Sequence, residues 1–167
     1  FTDQTGVPVS SQRVAASAIT VLGINTAATI SITGGDYQIN PSGTWASSAS
    51  TVALKDTVKV RHTSSSSYST TVNTVLTIGG VSDTFSSTTV AEPIPGVCAT
   101  MAGAYSSAPS NGLCTAGTAS AVVTSESAYT WTCEGINGGS NSGQCSVPRG
   151  YFVTPSAGSN GSIDPNT

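Results

Sequence analysis

Four cysteines, Cys98, Cys114, Cys133 and Cys145, are the side chains best able to make a covalent bond, and 15, 18 and 11 residues separate them. Zinc sites usually bring their ligands in pairs two to four residues apart. These wide gaps fit cross-links better: an even number of cysteines confined to about fifty residues with little apolar content reads as a disulfide framework. Four cysteines allow three pairings. The nested one, Cys98 with Cys145 and Cys114 with Cys133, is the expectation, and the other two remain open. Disulfides place a chain in an oxidising compartment outside the cytoplasm.

Other residues offer less chemistry. His62 is the only histidine; it follows Arg61 at the end of a strand and precedes Ser64–Ser67, so it is expected on the solvated surface. A Ser–His–Asp site needs nucleophile, base and orienting acid within hydrogen-bond reach, and no Gly-x-Ser-x-Gly elbow is present. No catalytic residue is assigned. The carboxylates Asp3, Asp36, Asp56, Asp83, Glu92, Glu126, Glu134 and Asp164 are dispersed, whereas calcium needs six to eight oxygens with several carboxylates together. Only Asp3 and Glu92 could meet, at a module junction, and neither a metal ligand nor a cofactor-binding residue is assigned. Lys59 alternates with Val58 and Val60, which puts it on the wet side of a strand and argues against an internal isopeptide bond. The glycine pairs Gly34-Gly35 and Gly138-Gly139 lie between strands and open no helix, so they are turns and not phosphate cradles. Asn160-Gly161-Ser162 is a lone glycosylation sequon expected in a loop.

The elements that position these residues are strands. From Val7 to Thr89 the apolar residues alternate with period two, without a helical stripe. Strands are expected around Val7 and Val9, Ile19 and Val21, Ala28–Thr33, Tyr37 and Ile39, Val58 and Val60, Val72–Ile78 and Val81–Phe85. Gly34-Gly35, Asn40-Pro41-Ser42-Gly43 and Gly79-Gly80 separate several of them as turn signals. Trp45 fits a core plug and a rim residue equally well. About seven short strands at this spacing suggest an all-β, immunoglobulin-like antiparallel sandwich over 1–91. Residues 92–96, with Pro93 and Pro95, read as an extended linker. Residues 97–148 form a small four-Cys β module, too short to be secure without cross-links. Residues 149–167 read as the start of a further β-repeat or a free tail.

Composition narrows the partners. Only 8% of residues are charged and the net charge is −3, so polar surface must come from Ser, Thr, Asn and Gly. Five Lys and Arg cannot build a stripe that tracks phosphates, which excludes nucleic acid. No apolar run approaches the ~20 residues of a membrane helix. The opening Phe1-Thr2-Asp3-Gln4 lacks a leader pattern and is the start expected of a mature, processed or excised fragment.

Several motifs then carry a family likeness. Thr2-Asp-Gln-Thr-Gly-Val7, Ala18-Ile-Thr-Val21, Gly23-Ile24-Asn25, Ile30-Ser-Ile-Thr-Gly-Gly35, Asp56-Thr-Val58 and Leu76-Thr-Ile-Gly-Gly-Val-Ser-Asp-Thr-Phe85 resemble a tandem repeat of very large bacterial surface and adhesin-like proteins. Leu113-Cys-Thr-Ala-Gly-Thr-Ala-Ser-Ala-Val122 and Tyr129-Thr-Trp131-Thr-Cys133 resemble a small Cys-rich module that accompanies such repeats. Residues 150–167 are similar to the opening of a third repeat type. The likeness implies an extracellular, cell-surface location and a non-catalytic role as spacer or adhesin stalk. Its partners would be other modules of the same chain or neighbouring subunits, with a glycan or cell-surface ligand elsewhere. The alternative expectation is a subunit of an extracellular fibre, built by strand addition through residues 150–167.

Overall fold

The computed structural model describes residues 1–41 and 43–151, and among them every regular element is a β-strand. The chain divides into two compact units, with the break after Glu92.

The first unit holds ten strands: β1 (Gln4–Val7), β2 (Gln12–Val14), β3 (Ile19–Thr20), β4 (Ala28–Thr33), β5 (Asp36–Ile39), β6 (Trp45–Ala46), β7 (Ser50–Val52), β8 (Thr57–Thr63), β9 (Thr71–Ile78) and β10 (Val81–Thr89). One sheet runs β1-β10-β9-β4-β7; the other runs β2-β8-β5-β6, with β3 also paired to β8. Alternation decides which side chains go inward. On β8, Val58, Val60 and His62 are buried while Lys59 and Arg61 face away. On β10 the buried set is Phe85, Ser87 and Thr89. Ile30, Val52, Leu76 and Phe85 of the first sheet share one core with Tyr37, Val58 and Val60 of the second. The outer surface of the first sheet carries hydroxyls in place of charges, and cross-strand pairs such as Thr71–Thr88 and Thr77–Ser82, both 2.8 Å, tie them together.

Nearly all pairing in this unit is antiparallel. The exception is β1, which lies parallel to β10, with Gln4 beside Ser87 and Val7 beside Thr89. The β9–β10 hairpin closes on Gly79 and Gly80, whose φ angles of 56° and 85° suit the tight turn that matches strand twist.

Three strands, β2, β6 and β7, have no alternating signature, since Gln12-Arg13-Val14, Trp45-Ala46 and Ser50-Thr51-Val52 are mostly polar or very short. Pairing with β8, β5 and β4 extends them. Conversely, β1 stops at Val7 because Pro8 has no N–H to continue the ladder. Val21 lies outside β3 yet is buried, held by N–H to Asp56 O (2.8 Å) and by its own carbonyl accepting from Lys55 N–H (2.8 Å).

The second unit contains β11 (Val97–Cys98), β12 (Cys114–Ala116), β13 (Thr118–Ala119), β14 (Val123–Thr124), β15 (Ala128–Trp131), β16 (Cys133–Glu134) and β17 (Cys145–Pro148). They form three small sheets, β11-β12, β13-β16 and β14-β15-β17. Leu113, Tyr129, Trp131, Cys133, Cys145 and Val147 make its core, and Trp131 Nε1 donates to Leu113 O at 2.9 Å.

At both ends of this unit the chain is hydrogen-bonded into it. The 92–96 segment is not a free joint along its length: Ile94 and Ile136 exchange two backbone hydrogen bonds of 3.0 and 2.9 Å, and Gly96 N–H reaches Ser140 O. Pro93 and Pro95 lack N–H groups, but the alternate residues Ile94 and Gly96 keep theirs, so the proline spacing permits pairing. Residues 149–151 also bond to the second unit. Arg149 N–H donates to Ser127 O, Gly150 N–H to Tyr105 O, and the Tyr151 hydroxyl to Glu126 O. The rest of that predicted segment, with Asn160 and Asp164, lies outside the described residues.

Candidate functional site

The four cysteines converge in the core of the second unit as two disulfides, Cys98–Cys145 and Cys114–Cys133, with Cα separations of 5.6 and 5.9 Å. Cys98 and Cys114 sit opposite each other on β11 and β12, yet each bonds away from that pair. Cys98 reaches β17 and Cys114 reaches β16, so the two bonds staple all three small sheets together. The bridges touch: Cys133 Sγ and Cys145 Sγ are 3.7 Å apart. Cys98, Cys133 and Cys145 form the one group of three potential ligand side chains clustered among the described residues. Their sulfurs are oxidised and offer no thiolate to an ion. The chemistry of this centre is covalent stapling, and it fits an oxidising, non-cytoplasmic environment.

His62 is not on the surface. It is 5% exposed and lies 4.8 Å from the Phe85 ring centroid. Its Nδ1 is 2.7 Å from Thr74 Oγ1 and its Nε2 is 2.6 Å from Ser87 Oγ. Thr74 donates its own proton to Gly34 O at 2.9 Å, so it must accept from Nδ1–H. Nε2 then accepts from Ser87, and a single neutral tautomer satisfies the whole chain of contacts. Burial, and after it the charge of Arg13, holds the imidazole pKa below its ordinary value. Ser87 beside a histidine has the outline of a nucleophile and base, but Ser87 is fully buried and a threonine stands where the orienting carboxylate would be. The arrangement fastens the sheets to one another. The parity of β8 holds the signal for it, because His62 shares the i, i+2, i+4 row of Val58 and Val60.

The described carboxylates are dispersed in space as in sequence. Asp3 accepts from Ser86 N–H (2.8 Å). Asp56 accepts from Ala53 N–H and the Asn40 amide, and these bonds hold its pKa below the usual carboxylate value. Asp36 pairs with Arg61 at 2.9 Å. Lys59 faces outward from β8. Trp45 is a rim residue: it is half-buried on the outer side of β6, with the Arg61 guanidinium 4.4 Å from its ring centroid.

Compared with protein-family models, curated proteins and solved structures, the chain matches none of them. No helix among the described residues is long and apolar enough to cross a membrane.

Proposed function

We propose that this chain is a non-catalytic, extracellular structural segment of a bacterial surface protein, a spacer or adhesin stalk whose first unit is an immunoglobulin-like sandwich. The observation that carries the reading is the parallel pairing of β1 with β10, the first and last strands of that unit. A chain that enters and leaves along neighbouring parallel strands departs in the direction in which it arrived. Each such module therefore adds its length in series. Pulling on its two ends loads the β1–β10 hydrogen bonds in shear, all at once, and does not peel them singly. Two shared-core sheets support the sandwich assignment, and hydroxyl-lined faces with few charges suit a solvated surface. The tandem-repeat likeness in its motifs and the stapled second unit agree with the same role. Its partners are neighbouring modules or subunits, and the tip that binds a cell-surface ligand lies elsewhere in the assembly.

Single-molecule stretching of the full chain tests this. The first unit should give one abrupt high-force event that releases about 25–30 nm of chain, at ~3.3–3.6 Å per residue. Low-force, gradual extension would sink the spacer reading. Regular filaments in negative-stain images of the chain at micromolar concentration would replace it with the fibre-subunit alternative.

A further inference from the structure

The outward side of the second sheet of the first unit concentrates functional groups that the spacer reading does not use. Trp45 on β6 sits opposite Gln38 on β5, and Gln38 sits opposite Lys59 on β8. One step along, Asp36 faces Arg61. Arg61 is neutralised by Asp36 and stacked on Trp45. The Lys59 side chain makes no hydrogen bond or ion pair with any described residue, so its ammonium is an uncompensated positive charge on this face in a chain of net charge −3.

Beside Lys59 the face is concave. Ala18, Gln38, Asn40, Pro41, Thr57 and Lys59 line a cleft of about 160 Å³. Its walls are fixed. The Asn40 amide donates to Asp56 (2.9 Å), and its oxygen accepts from Thr57 N–H (3.0 Å). Gln38 Nε2 donates to Gly43 O (2.6 Å), which leaves Gln38 Oε1 as an acceptor with no partner among the described residues. Two strand spacings separate Trp45 from Lys59, roughly 10 Å.

We infer that this face binds an acidic polysaccharide. One uronate ring sits in the cleft with its carboxylate on Lys59 and a hydroxyl donating to Gln38, and the neighbouring ring lies against the accessible part of Trp45. The cleft is smaller than the ~300 Å³ and above of drug-sized pockets and suits one sugar ring. A peptide added as a strand would use the backbone of a sheet edge, but β5 and β8 are interior strands with both neighbours in place. The charge selects an acidic sugar over a neutral one, because a carboxylate gains a charge-assisted contact with Lys59. The inference stands on this geometry alone and survives if the spacer reading fails.

The test is calorimetry of the full chain with a hexamer of galacturonic acid and with its methyl-esterified form at low ionic strength. The acid hexamer should bind, and esterification or Lys59→Gln should weaken binding about tenfold, the scale of one charge-assisted contact. Trp45→Ala should weaken it several-fold, and the Lys59→Gln protein should keep its thermal midpoint. Equal binding of the two hexamers would overturn the proposal, as would unchanged binding by Lys59→Gln or no binding at millimolar sugar. A glutamate hexapeptide that binds as tightly as the sugar would overturn it in favour of an acidic peptide partner.

Discussion

Burying a histidine against the Phe85 ring makes the first unit sensitive to acid, and the direction follows from the contacts. Only neutral imidazole fits the Thr74–His62–Ser87 chain, since a second ring proton would point at a Ser87 hydroxyl that already donates to it. The folded pKa is depressed by burial, so near neutrality and below, the unfolded state binds more protons than the folded one. The histidine's contribution to stability is therefore complete above the unfolded value of 6.5 and declines as pH falls through it toward the folded value. The thermal midpoint of the first unit should drop between pH 7.5 and pH 5, a window in which Asp56, held below 3.8, stays ionised. His62→Ala should flatten that slope. At pH 7.5 it should cost about 3 kcal/mol in denaturant titrations, through a void and an orphaned Ser87 hydroxyl. A midpoint equal at both pH values in the unaltered chain would contradict a buried, neutral imidazole of depressed pKa. The placement of His62 was legible in the sequence, because the parity that sends Lys59 outward sends His62 inward. The hydrophilic neighbours Arg61 and Ser64–Ser67 hide it, since they suggest a surface when residues are judged by company and not by register.

Among the elements, the turn between β4 and β5 is sterically closed where the chain passes from one sheet to the other. A Cβ at Gly35 would lie 2.3 Å from Arg61 O and 2.7 Å from Thr74 Oγ1, the hydroxyl that fixes His62. Gly35→Ala must push β8 and β9 apart, and a loss of more than about 2 kcal/mol is expected in urea titrations. Gly80, at φ 85° in the β9–β10 turn, has nothing within 4 Å of its added Cβ. Asparagine tolerates that conformation, so Gly80→Asn should cost less than about 1 kcal/mol. If the two substitutions cost the same, steric closure at β4–β5 is not what limits this turn. Strands with two or more alternating apolar residues, such as β4, β8 and β9, announce themselves in the sequence, and so do the glycine turns. Strand partners do not. Nothing local to Gln4–Val7 says that it will lie parallel to Val81–Thr89, and β2, β6 and β7 exist only because a longer neighbour offers them a ladder.

At the scale of the molecule, the two units draw stability from different sources, and that difference can be measured. The first contains no cysteine and gathers nine buried hydrophobic residues into its core; the described core of the second has six, of which Cys133 and Cys145 belong to the bridges themselves. The bridges close separations of 19 and 47 residues, and loop-closure entropy assigns them about 3 and about 4 kcal/mol. Those contributions are of the size of the whole stability a unit this small can be expected to have. Reduction at neutral pH should therefore collapse the amide and Trp131 indole signals of the second unit in a heteronuclear NMR spectrum and leave those of the first, including Trp45, in place. Removing one bridge as a pair, Cys114→Ala with Cys133→Ala, should already unfold much of the second unit. It detaches β16 from β12 and also strips the sulfur packed 3.7 Å from Cys145, so the effects of deleting the two bridges should not add. Loss of both units on reduction would mean that the first unit depends on the second. Survival of both would mean that the three small sheets hold without their staples, and the reason for crowding four cysteines into one core would have to be sought in chemistry and not in stability.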